Sequence, residues 1–78
     1  NVKELAIDPV IQEKNCIFAL TENGEVLSSD SAVSAEIENE ISLYLDQGIK
    51  AERISAAGGY LYIIFDNDDY IRVQYSNQ

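Results

Sequence analysis

The stretch from Ile17 to Asp30 reads I-F-A-L-T-E-N-G-E-V-L-S-S-D, and it decides the fold class. Cys16 to Thr21 is an apolar run, the pattern of a strand buried on both faces. Glu22-Asn23-Gly24-Glu25 follows, and Asn and Gly accept the positive φ that a tight hairpin connection demands. Val26 to Ser29 returns as a second, shorter strand. Asp30 or Ser31 then offers a side-chain oxygen to the first free N–H groups of a helix.

That helix carries Val33, Ile37, Ile41, Tyr44, Leu45 and Ile49 at intervals of three and four, which is one helical face. Glu36, Glu38, Asn39, Glu40, Ser42, Asp46 and Gln47 fill the remainder, and Leu43 lies off the stripe. The apolar face is therefore wider than one sheet contact requires. Gly48 is placed to end the helix. Beyond it, Glu52 to Ala57 reads as a strand, Gly58-Gly59 as a turn, and Tyr60 to Phe65 as a strand apolar on both faces. Asp66-Asn67-Asp68-Asp69 is a polar turn. Tyr70 to Tyr75 sets Ile71, Val73 and Tyr75 against Tyr70, Arg72 and Gln74, as a strand covered on one side should. Upstream, Leu5 and Ala6 suit a short element, and Pro9 restricts Asp8 to extended conformations and suits the first position of a second short turn or helix.

The order is a hairpin, one helix and a three-stranded meander. It predicts a single α+β domain over 1–78, with one antiparallel sheet of about five strands and an amphipathic helix on one face.

Seventy-eight residues lie near the lower limit for an unaided core, which at this size supplies roughly 3–5 kcal/mol. One cysteine permits no internal disulfide, and the absence of histidine removes the common zinc and haem ligands. Association with another chain is the stabiliser that remains. Without histidine the Ser–His and Cys–His nucleophile pairs are impossible. The D-N-D-D turn is too small for a glycosidase cleft and lacks the Gly and Glu spacing of a calcium loop. Gly58-Gly59 precedes a strand, so it is no phosphate loop. We therefore expect no enzymatic activity and no cofactor.

Fourteen acidic and five basic residues give a net charge of −9. Such a surface repels phosphate backbones and anionic lipid, which argues against direct nucleic-acid contact. The tyrosines could form a stacking platform for RNA, but that needs basic flanks, and cross-strand packing accounts for them better. No run is long enough to span a bilayer as a helix, and the simplest expectation is a cytosolic location. Between Lys14 and Lys50 no Lys or Arg occurs. Glu22, Glu25, Glu36, Glu38, Glu40 and Asp46 fall there, together with Asp30. They form either a solvated face or a docking surface for a basic partner.

The hairpin I-F-A-L-T-E-N-G-E-V-L-S-S-D and the run A-A-G-G-Y-L-Y-I-I-F-D-N-D-D-Y-I-R-V together resemble the roadblock family of dynein-light-chain-like domains, and within it the short Ragulator-type subunits. The resemblance covers about Cys16 to Ser76. It implies a non-catalytic scaffold that dimerises with like-folded partners and makes a platform for small GTPases, at the lysosomal or vacuolar surface in the Ragulator-type complexes. Carried onto this chain, it places the pairing surface on Ile37, Ile41, Tyr44 and Leu45 of the helix with Arg53, Ser55, Ala56 and Ala57 of the following strand. The competing expectation is a small acidic inhibitor or immunity protein, whose acids from Glu22 to Asp46 would occupy a basic surface of a nuclease or toxin.

Overall fold

The computed structural model describes residues 1–8 and 17–75, so the expected start of the hairpin at Cys16 and the turn at Pro9 lie outside the described residues. The chain folds as β1 (Val2–Ile7), β2 (Ile17–Thr21), β3 (Val26–Ser28), α1 (Ser31–Asp46), β4 (Ala51–Ala57), β5 (Tyr60–Phe65) and β6 (Tyr70–Gln74). The α+β class holds. The single sheet of about five strands does not: six strands form two antiparallel sheets, ordered β1-β2-β3 and β4-β5-β6.

The correction comes from the first element. Val2–Ile7 is a strand, and it pairs with β2 from Ile7↔Ile17 to Glu4↔Leu20 before the register slips towards Val2↔Thr21. β2 then pairs with β3, so the hairpin's first strand is the centre of its own sheet. The Asn23-Gly24 turn closes as expected. Gly24 has φ +84°, and a Cβ there would meet the Cβ of Lys50 at 2.6 Å. The turn needs glycine both for its backbone conformation and for the close docking of the hairpin tip on the start of β4.

Asp30 caps α1 by accepting from the N–H groups of Ala32 (2.9 Å) and Val33 (3.2 Å). In the second sheet, Gly58 (φ +59°) and Gly59 (φ +89°) make a two-residue turn of the mirror-image type that matches strand twist.

The inner faces of both sheets meet α1 in one core. Phe18, Leu20 and Val26 come from the first sheet, Ile37 and Ile41 from the helix, and Leu61, Ile63, Phe65 and Val73 from β5 and β6. Tyr44 stacks on Phe65 with ring centroids 3.9 Å apart, and Phe18 meets the ring of Tyr75 at 4.8 Å.

Two carboxylates of the first sheet reach the second. Glu4 accepts from the Ile54 N–H at 2.8 Å and from Arg53 Nε at 3.2 Å. Asp8, only 3% exposed, accepts from the Gly59 N–H at 2.9 Å and from the Tyr75 hydroxyl. A buried carboxylate is tolerated only when donors surround it, and these two donors meet at one end of the second sheet, where the Tyr75 N–H also bonds the Gly59 carbonyl at 2.9 Å. Truncating Asp8 leaves both donors without it, so Asp8→Ala should cost about 2–4 kcal/mol of unfolding free energy, against about 1 kcal/mol for the exposed cap change Asp30→Ala. Urea unfolding of the two variants checks this, and a loss at Asp8 no larger than at Asp30 would contradict the role given to it.

Candidate functional site

Strand alternation sorts the side chains into inner and outer faces, and the outer faces carry the unexpected residues. On the first sheet, the rows Leu5↔Ala19↔Leu27 and Ile7↔Ile17 point away from the core, with Val2↔Thr21 beyond the slip. Val2, Leu5, Ile7, Ile17 and Leu27 are between 40% and 62% exposed. The first two rows carry no charge, while Glu25, bonded to Thr21 across β2 and β3, ends the third. β2 was expected to be covered on both faces; instead Phe18 and Leu20 are buried while Ile17 lies open.

The second sheet behaves similarly. Leu61, Ile63 and Phe65 face the core, whereas Tyr62 and Ile64 face out, so β5 too is covered on one side only. Its outer rows are Arg53↔Ile64↔Tyr70, Ser55↔Tyr62↔Arg72 and Ala57↔Tyr60↔Gln74. The Arg72 guanidinium lies over the Tyr60 ring, 4.6 Å from its centroid. Both arginines of the chain stand on this face, and no acid occurs in its rows. Tyr62 and Tyr70 are thus surface residues, while Tyr44 and Tyr75 pack as the sequence suggested.

The expected pairing set is divided. Ile37 and Ile41 are buried inside this chain's own core, and Tyr44 and Leu45 are half-buried against it. Ile37 and Ile41 have almost no free surface to offer a partner while the chain is folded, and Tyr44 and Leu45 only part of theirs. Ala56 is half-buried, whereas Arg53, Ser55 and Ala57 stand on the outer face of the second sheet. Only Leu43, 69% exposed, is the helix's surplus apolar side chain. The periodicity identified the buried stripe; what covers it is the chain itself.

The expected acidic face is exposed throughout but not contiguous. Glu25, Glu38 and Asp46 line a cleft between β3 and α1, with Val26, Leu27, Ser34, Ile41, Ser42 and Leu45. Glu22 stands at the hairpin tip, where it accepts from the Asn1 side chain at 3.4 Å, and Glu36 and Glu40 are exposed helix residues outside that cleft. The D-N-D-D turn is organised by Asn67, whose side chain accepts from the Asp69 N–H at 3.0 Å and donates to its carboxylate at 3.0 Å. Among the described residues no group of three His, Cys, Asp or Glu side chains is placed to hold a metal ion, and no helix is long and apolar enough to cross a membrane.

Sequence reasoning missed Val2, Leu5 and Ile7 as surface and Glu4 and Asp8 as cross-sheet acceptors. The signal was present: Leu5 and Ile7 alternate with Ala6 and Asp8 at the strand period of two.

Family models, curated proteins and solved structures give no match to this chain. The roadblock resemblance therefore rests on the two motifs alone.

The division of the helix is directly testable. Ile41→Asp buries an unpaired charge at a cost comparable to the whole stability of so small a core, so circular dichroism should show the variant unfolded. Leu43→Asp, two residues away on the exposed side, should stay within about 0.5 kcal/mol of the parent. Equal tolerance of both changes would place Ile41 outside the core.

Proposed function

We propose that this domain is a non-catalytic protein-interaction module that pairs with a second copy of itself through the outer face of its first sheet. The observation that carries the reading is the row set Val2, Leu5, Ile7, Ile17 and Leu27: five large aliphatic side chains, all substantially exposed, on one sheet face. Exposed apolar patches of a few hundred Å² mark contact sites on soluble proteins. The apolar runs of β2 and β5 are written as strands covered twice, and a single copy covers them once.

A second copy is the occupant favoured by charge. Two chains of net charge −9 repel one another over most of their surface. They can approach most closely where acids are fewest, and on the first sheet's outer face the rows Leu5↔Ala19↔Leu27 and Ile7↔Ile17 carry none, with Glu25 at the margin beside Thr21. A two-fold arrangement sets the same patch against itself, which is the common form of small dimers. Pairing through the first sheet, unlike the surface that the roadblock resemblance implies, leaves the tyrosine- and arginine-bearing face of the second sheet free for a third protein such as a small GTPase. Tyrosine and arginine are the residues enriched at such contacts.

The test is sedimentation of the parent chain and of Leu5→Lys. Leu5 is 62% exposed, so the substitution leaves the folded chain intact. The parent should sediment at twice the chain mass at micromolar concentration and the variant at the chain mass. A parent that stays monomeric at ten times that concentration would overturn the pairing.

A further inference from the structure

β6 ends the second sheet, and among the described residues β5 is its one strand neighbour. Tyr75 N–H donates to the Gly59 carbonyl (2.9 Å) and Phe65 N–H to the Asp69 carbonyl (2.8 Å), which fixes the alternation of the β5–β6 ladder. Ile71 and Val73 therefore pair their backbone groups with β5, and Tyr70 and Arg72 turn theirs away from it. No hydrogen bond among the described residues takes up those of Tyr70 or Arg72. Both residues are exposed, Tyr70 to 72%, and Ile71 between them is half-buried. At Ile54 and Ser28 a side chain engages the strand edge, but here none does. Natural edge strands are commonly blunted by a proline, a bulge or charges. β6 holds no proline and pairs with β5 without a register shift, and Arg72 is its single charge.

Arg72 points to what fits there. The chain has fourteen acids against five bases, yet no ion pair joins the Arg72 guanidinium to a carboxylate among the described residues. It lies over the Tyr60 ring, whereas Arg53 is paired with Glu4 at 3.2 Å. Its own row, Ser55↔Tyr62↔Arg72, and the rows on either side hold no acid. Asp66, Asp68 and Asp69 stand exposed at the turn beyond Tyr70. They would repel a run of acids, but a single acid opposite Arg72 is spared that.

We infer that the β6 edge is a strand-addition site for an extended segment of a partner protein that carries one carboxylate between apolar residues. The added strand pairs its backbone with the open groups of Tyr70 and Arg72. Its carboxylate meets the Arg72 guanidinium on the outer face, and the apolar side chains flanking it settle beside Ile71 and Val73 on the inner one. Backbone pairing supplies the affinity, and the acid sets the register and chooses the partner. The edge belongs to the sheet that pairing through the first sheet leaves free, so a monomeric chain leaves this inference standing.

The probe is a fluorescein-labelled heptapeptide of alternating valine and threonine, with glutamate in place of the central threonine. It is titrated onto the full chain by anisotropy, and amide hydrogen exchange is followed at Tyr70 and Arg72. Saturable binding is expected, with exchange at both amides slowed at least about tenfold. A lysine-centred peptide should bind about tenfold more weakly or worse, and Arg72→Glu, at an exposed position, should reverse that preference. The glutamate peptide N-methylated at every second residue, on the amides aimed at β6, should fail to bind. Binding that survives methylation, leaves exchange at Tyr70 and Arg72 unchanged, or does not distinguish glutamate from lysine overturns the inference. So does the absence of binding. Protection of the two amides that needs no peptide and vanishes on dilution would assign the edge to a second copy instead, and overturns it as well.

Discussion

Two carboxylates four residues apart, Glu4 on the first strand and Asp8 just past its end, hold the two halves of this fold in register. A three-stranded sheet has two edges, and each edge presents backbone groups that need partners. β4 turns the groups of Ile54 and Ala56 away from β5, and the carboxylate of Glu4 meets the first of these at 2.8 Å. Asp8 does the same for the turn at Gly59 while engaging the neighbouring Tyr75 at the same end of the sheet. β1 thus joins the first sheet through its backbone and the second through its acids. Both inner faces then converge on Phe18, Ile37, Ile41 and Phe65.

The same device appears at β3, where the hydroxyl of Ser34 stands in for a neighbouring strand at Ser28. Side chains close the edges of β3 and β4 at these positions. Val26 on the same edge of β3 is buried, 3% exposed, beside the helix. Edge closure and core packing go together here, because the six strands form two three-stranded sheets whose inner faces meet on one sixteen-residue helix. What they leave outside is an aliphatic face on one sheet and an aromatic, arginine-bearing face on the other.

Much of this was legible in the residues. The Asn-Gly turn, the Asp30 cap, the helical stripe and the alternation of β6 each depend on near neighbours in sequence, and each stands as read. The first strand was not legible because its partner lies beyond Pro9, and six residues followed by proline suit a helix start as well as a strand. The number of sheets was hidden for a related reason. A hairpin looks the same locally whether its edge joins another strand by backbone or by the carboxylate of Glu4. The helix illustrates the limit on sites. Ile37 and Ile41 announced a buried face, but burial within the chain and burial against a partner use the same spacing. The apolar continuity of β2 and β5 carried more information than it first gave, since it marked faces that one copy leaves bare.

The central claim is that the aliphatic face of the first sheet is where this domain meets another. The most direct measurement is an isotope-filtered nuclear Overhauser spectrum of a sample mixing carbon-13-labelled and unlabelled chains, which sees only contacts between copies. The account predicts intermolecular contacts among the methyl groups of Val2, Leu5, Ile7, Ile17 and Leu27. Intermolecular contacts confined to Leu43 or to the tyrosines of the second sheet, or none at all at millimolar concentration, would contradict it.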